Sequence, residues 1–219
     1  MTEETSFRTH SGGELPALLN LPPHADVLFV LGHGSGSTIH VPLMAALSDA
    51  LSSFRVASLR FEYPYSCHPN FVPFSDMAVD DDEVLIATVR AALEFGLRNC
   101  PKLKTFVGGH SISGLVTTFA DAETPLPADG IISLGYPRKG DPTQSQHLQG
   151  TVAPILFVQG TNDALGNCAE IEEMTRPLGD RAVLRWIEGA THGFSVEGRD
   201  LSHVASEVAS AVREFADTI

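Results

Sequence analysis

The stretch Val107-Gly108-Gly109-His110-Ser111-Ile112-Ser113-Gly114 constrains this chain more than any other. Strand-compatible residues, Leu103 to Val107, lead into it, and a helix-compatible run, Leu115 to Asp121, follows. A serine flanked by small residues between a strand and a helix has the form of a nucleophile elbow, a turn tight enough to lift the Ser111 hydroxyl above a sheet. The helix N-terminus behind it presents free amide hydrogens, which suit a developing oxyanion. The usual spacing is G-x-S-x-G. Here the second glycine falls one place late, at Gly114, and Ser113 stands where it is expected.

The rest of the chain alternates strands and helices. Residues 5–21 read as a leading hairpin that turns at Ser11-Gly12-Gly13. Asp26 to Leu31 reads as a fully buried strand, because its apolar residues run on without alternation. The glycine-rich segment Gly32 to Ser37 follows as a loop. Pro42 to Phe54 is helical in pattern, with Leu43, Ala46, Leu47 and Leu51 on one face. Arg55 to Phe61 is the next strand, and Glu62 to Asp76, rich in proline and aromatics, is a loop. Asp80-Asp81-Asp82-Glu83 opens a helix to Arg98, with acidic groups at the positive end of its dipole. Strands are expected at Thr105–Gly109, Gly130–Gly135, Val152–Gly160, the last of these beginning at Pro154 or just after it, and Ala182–Ile187. Helices are expected at Ile112–Asp121, Asn167–Met174 and Leu201–Ala216. This order predicts an α/β fold: a mostly parallel central sheet with helices on both faces. Ligands in such sheets bind at the carboxyl ends of the strands. At 219 residues and 43% hydrophobic, one domain over 1–219 with a sizeable core is expected.

Charge and cysteine content narrow the function. Acidic residues outnumber basic ones 27 to 14, which argues against nucleic acid or an anionic membrane as partner. No apolar signal segment follows Met1, and the apolar run Val27 to Leu31 is too short to span a bilayer. Three cysteines without C-x-x-C spacing argue against a disulfide framework or zinc knuckle, and a cytoplasmic location is expected. None of the nine histidines shows H-x-x-x-H or H-E-x-x-H spacing, so no metal is expected.

A serine nucleophile needs a base, and the base needs an orienting acid. Asp163 follows one expected strand, in Gln159-Gly160-Thr161-Asn162-Asp163. His192 follows the next, in Gly189-Ala190-Thr191-His192-Gly193-Phe194. Taken singly, Asp163 reads as a turn residue and Ser111 as a helix cap. Together they stand in the chain order serine, acid, histidine that this strand–turn–helix geometry requires. Ser111 is therefore the expected nucleophile, His192 the base and Asp163 its orienter, with no cofactor. The oxyanion amides are expected from Ile112 and from Gly34 or Ser35. Tyr63 and Tyr65, with Phe71 and Phe74, either line the site or form an aromatic loop packed on itself, and His110 is expected to touch substrate beside the nucleophile. About sixteen residues, 136–151, separate two expected strands, which leaves no room for a helical cap. An open, shallow site for a small or surface-presented acyl group is expected, with a preference for short chains.

On these residues the chain resembles the α/β-hydrolase superfamily, and more closely the small, lid-less, dienelactone-hydrolase-like group. The matching segments are Gly32-His33-Gly34-Ser35-Gly36, Arg60-Phe61-Glu62-Tyr63-Pro64-Tyr65, the elbow Gly108 to Gly114, Leu134-Gly135-Tyr136-Pro137, Gln159 to Asp163 and His192-Gly193-Phe194. The resemblance implies hydrolysis of an ester or related acyl compound, a small-molecule substrate. That group usually carries a basic residue where this chain has His110, and Met-Gly-Gly-Arg where it has Ile112-Ser113-Gly114-Leu115. Two other readings stand beside it. One is a non-catalytic binding module on a hydrolase scaffold. The other is a nucleotide-binding protein built on Gly32-x-Gly34-x-Gly36, whose third glycine would be needed where Ser37 stands.

Overall fold

The unbroken apolar runs become the central strands of an eight-stranded sheet. The computed structural model describes residues 2–74, 79–138 and 142–219, with residues 142–145 as backbone alone. The strands are β1 (Thr2–Arg8), β2 (Glu14–Asn20), β3 (Val27–Gly32), β4 (Val56–Phe61), β5 (Lys104–His110), β6 (Gly130–Leu134), β7 (Ile155–Gly160) and β8 (Ala182–Ile187). The helices are α1 (Pro42–Ser53), α2 (Asp82–Asn99), α3 (Ile112–Glu123), α4 (Cys168–Thr175) and α5 (Leu201–Thr218). Shorter 3₁₀ turns cover Pro64–Cys67, Pro142–Gly150 and Arg176–Arg181.

The strand order is β1-β2-β4-β3-β5-β6-β7-β8. β1 pairs antiparallel with β2, and β2 with β4, while every other pair is parallel. Side chains alternate between the two faces, as the pleat requires. Val27, Phe29 and Leu31 of β3 pack with Met44, Leu47 and Leu51 of α1 and with Val204, Val208 and Val212 of α5. Leu28 and Val30 face the other way, onto Leu85, Val89 and Leu93 of α2 and Val116 and Ala120 of α3. Ile171 and Met174 of α4 join Ile155 and Phe157 on that second face. Helices thus cover both faces.

Some boundaries differ from the sequence pattern, and each difference has a local cause. β7 follows the pattern: it begins at Ile155, just after Pro154 as expected, and the Val152 and Ala153 N–H groups before it donate to Asp121 Oδ2 (2.7 and 3.1 Å) instead of to a neighbouring strand. α2 begins at Asp82 rather than Asp80, whose carboxylate accepts from the Tyr65 N–H at 2.8 Å. β1 starts at Thr2, earlier than the expected hairpin, and pairs along its whole length with β2.

Parallel register aligns the carboxyl ends of the central strands. Gly32 sits opposite Gly109, Leu134 opposite Val158, and Gly160 opposite Ile187. The loops that leave these ends therefore converge above the middle of the sheet. Between β6 and β7 the described residues form the turn Pro142–Gly150, whose Leu148 packs in the core beside Tyr136. They build no separate cap. No helix is long and apolar enough to cross a membrane, among the described residues.

Candidate active site

Ser111 stands at the sharpest point of the backbone. Its φ is 54° and ψ −116°, a conformation that costs a non-glycine residue about 1–3 kcal/mol and persists only when its surroundings hold it. The grip comes from both sides. The Ser111 N–H donates to Leu134 O at 2.8 Å, tying the turn to β6. Gly108 and Gly109 precede it at φ 147°, where a β-carbon would sit 2.9 Å from Ile132 C and 2.7 Å from Gly32 N respectively. Two glycines are thus required for β5 to pass between β3 and β6 while rising into the turn.

Ser113, which replaces the expected glycine, is fully buried. Its hydroxyl donates to His33 O at 2.6 Å and lies 2.9 Å from Tyr63 Oη. The room for it comes from Gly32, where a β-carbon would lie 2.8 Å from Ser113 Cβ. Gly114 serves the other neighbour, since a β-carbon there would lie 3.0 Å from Ser133 Cβ. The elbow closes because the missing glycine has been exchanged for one on the adjacent strand.

Three expected residues meet in one line. His192 Nε2 lies 2.9 Å from Ser111 Oγ, and His192 Nδ1 lies 2.9 Å from Asp163 Oδ2. Asp163 is buried and held at both oxygens. The Leu165 N–H donates to Oδ1 at 2.8 Å, and the Gln159 amide donates to Oδ2 at 2.7 Å. Gln159 in turn accepts from the Tyr136 N–H at 2.7 Å and donates to Gly166 O at 3.0 Å. Its inward position on β7, one residue before the strand's end, is the only trace of this in the sequence.

Ile112 and Ser35 flank Ser111, and neither of their N–H groups has a hydrogen-bond partner among the described residues. One stands at the start of α3 and one in the loop after β3. Gly34 also lines the cavity at this point, and a β-carbon there would fall 2.7 Å from His110 Nδ1.

Residues at the end of β4 and just after it hold that loop from beneath. Arg60 Nη1 donates to Ile39 O at 2.8 Å, Glu62 Oε1 accepts from the Ile39 N–H at 3.1 Å, and Tyr65 Oη donates to Gly34 O at 3.1 Å. Glu62 Oε2 lies 2.9 Å from Nε2 of the fully buried His33, an ion-pair distance with a bent hydrogen-bond angle, and accepts from Ser66 Oγ at 2.5 Å. Burial pushes the Glu62 carboxyl up, but the hydrogen bond and charge of His33, then Ser66 and Ile39, outweigh it and leave the carboxyl below its ordinary value. Tyr63 and Tyr65 belong to this understructure. Both are buried, stacked at 5.8 Å and 10°, and neither lines the cavity: of the two arrangements the sequence left open, the aromatic loop packs on itself. The 3₁₀ turn Pro64–Cys67 rolls the loop inward and carries their rings under the oxyanion loop.

His110 does line the cavity, yet its Nε2–H donates to His192 O at 2.8 Å. Burial, then the neighbouring His192 ring, lower its pKa to about 4, so it is neutral at pH 7. It fixes the backbone that carries His192.

The opening beside Ser111 is a cleft of about 640 Å³ rather than the shallow site expected from the missing cap. Its walls are Val41, Leu43 and Met44 at the start of α1, Leu165, Leu201 and Phe74. Helix starts of the scaffold thus supply depth that a cap would otherwise give. Among the described residues, no cluster of His, Cys, Asp and Glu is arranged to hold a metal ion.

Comparison with known proteins agrees with this fold. The sequence profile described as an alpha/beta hydrolase domain matches residues 25–219. A cutinase from Botryotinia fuckeliana is 28% identical over 130 residues, which cover 55% of this chain and 61% of the cutinase. This chain therefore matches less than two thirds of that relative's length. A lid-less α/β serine hydrolase from Xanthomonas campestris superimposes with a TM-score of 0.74 at 19% identity, over 98% of this chain and 94% of the other. A dienelactone hydrolase from Anabaena variabilis does so with a TM-score of 0.75 at 21% identity, over 96% and 95%.

Proposed function

This chain belongs to the α/β-hydrolase family and is a hydrolase, and we propose that it cleaves carboxylic esters of small molecules through a Ser111–His192–Asp163 triad. One observation carries the reading: His192 is hydrogen-bonded at one ring nitrogen to Ser111 Oγ and at the other to a buried carboxylate, at 2.9 Å each.

Ser111 Oγ attacks the ester carbonyl carbon as His192 Nε2 takes its proton. Asp163, bonded to Nδ1–H, keeps the imidazole in the tautomer that can accept at Nε2 and stabilises the imidazolium that forms. The carbonyl oxygen becomes an oxyanion facing the Ile112 and Ser35 amides, donors that need no reorganisation. Collapse of the tetrahedral intermediate breaks the bond to the alkoxy oxygen, which takes the proton from His192. Water then attacks the acyl-enzyme with His192 again as base, and the acid and free Ser111 are released.

The test is an active-site label. A fluorophosphonate should modify one residue, Ser111, as located by mass spectrometry of the digested protein, and Ser111→Ala should take up none. Label on another serine, or none at high reagent concentration, would overturn the assignment.

A further inference from the structure

We propose that the substrate is a neutral ester carrying a flexible apolar chain, seated in the cleft between the N-terminal ends of α1 and α5. This rests on Ser111 as the nucleophile that marks the reacting end of the cleft.

Three observations lead here. The cleft measures about 640 Å³, within the range that encloses a small organic ligand, and Val41, Leu43, Met44, Leu165 and Leu201 supply its walls. Its mouth displays Phe74, 77% exposed, in a left-handed conformation (φ 61°) and tied by its N–H to Gly36 O at 2.6 Å. This ring adds apolar surface to the lining of the cleft. Finally, the described lining includes no lysine, arginine, aspartate or glutamate, in a chain of formal net charge −13. A carboxylate on the substrate would leave water and find no cation to replace it. An alkyl chain loses nothing on the same path and gains with every methylene covered. The chain-length preference expected from a shallow site is thereby reversed.

The experiment is a pair of length series: straight-chain 4-nitrophenyl esters from acetate to decanoate, and alkyl acetates of matching length. In one series kcat/KM should rise about two- to fourfold per methylene over the first several carbons and then level off. Both series flat or falling would overturn the proposal. The 4-nitrophenyl monoester of glutaric acid, an anion of pentanoate length, should react at least about tenfold more slowly than the pentanoate. Equal or faster reaction would also overturn it. Leu165→Arg should narrow that gap, and Leu43→Trp should shorten the chain at which the rise stops; if both variants fold, by circular dichroism, and neither effect appears, the cleft is not where the chain lies. Should no ester be hydrolysed, the catalytic reading fails by itself. Calorimetry of Ser111→Ala with methyl octanoate and methyl acetate then still decides the cleft: tighter octanoate binding supports it, and equal or absent binding sinks it.

Discussion

Gly32 of β3 and Ser113 of α3 share one space: a β-carbon on Gly32 would come within 2.8 Å of Ser113 Cβ. The strand and helix are 81 residues apart in sequence, 113 minus 32, yet each sets what the other can be. Gly32→Ala should overpack the site and cost about 1–3 kcal/mol. Ser113→Gly should cost about 1 kcal/mol, through the lost bonds to His33 O and Tyr63. The double variant should be less destabilised than the sum of the two, because the clash with Ser113 is gone and only Phe61 Cζ, 2.9 Å from the methyl, still has to shift. Urea melts of the four proteins measure this, and additivity within about 0.5 kcal/mol would refute the pairing.

Asp163→Asn should lower kcat by a factor on the order of 10⁴ with little change in KM. The amide keeps the packing beside Gln159 but favours the wrong imidazole tautomer. Steady-state kinetics on a 4-nitrophenyl ester read the split. A loss confined to KM would place Asp163 in substrate binding instead.

Glu62→Gln should weaken both the loop after β3 and the stability at neutral pH. The Glu62 carboxyl is held below its ordinary value, so its contribution is fully present above the unfolded pKa, about 4.3, and is lost as pH falls through the lower folded value. In Glu62→Gln the acid limb of a stability–pH curve should therefore flatten. Because the Ile39 N–H and His33 lose a charged partner, Ser35 should be less well placed, and kcat should fall by up to about 10² with KM nearly constant. Urea midpoints between pH 3 and 7, with kinetics at pH 7, test both.

His110 gives a second pH signature, of opposite origin. Its pKa is lowered to about 4, whereas the unfolded side chain titrates near 6.5. Between these values the unfolded chain binds a proton that the folded one does not, so stability falls as pH drops from about 6.5 toward 4. His110→Gln keeps a donor near His192 O and removes that proton. Its stability should change less across this window than that of the parent, as followed by thermal melts at half-unit intervals of pH.

The fold was largely legible in the sequence because its central strands are covered on both faces. Val27 to Leu31 and Ile155 to Val158 must be continuous apolar runs, and such runs stand out from the helical periodicity between them. The alignment of Ser111, Asp163 and His192 could be read for a related reason, since each follows a recognisable strand and parallel register brings those ends together. Tyr63 and Tyr65 could not be placed this way. Whether an aromatic ring in a proline-rich loop faces outward or inward depends on partners such as His33 and Gly34 across the sheet, and nothing local encodes that choice. Gln159 was hidden by its setting, a polar residue at the end of an apolar strand, whose purpose appears only when Asp163 and Tyr136 fold around it. Cleft depth was misjudged because it comes from helix starts and not from an insertion.

The walls of the cleft are the first turns of α1 and α5 and the loops bolted to β4, so the resting shape of the site is also its working shape. With helix starts as walls, turnover should be insensitive to solvent viscosity once product escape is fast. In the proposed mechanism the acyl group on Ser111 should stay within reach of bulk water. Competing alcohols should then meet a nucleophile present at vastly higher concentration, and the products should be mainly free acids.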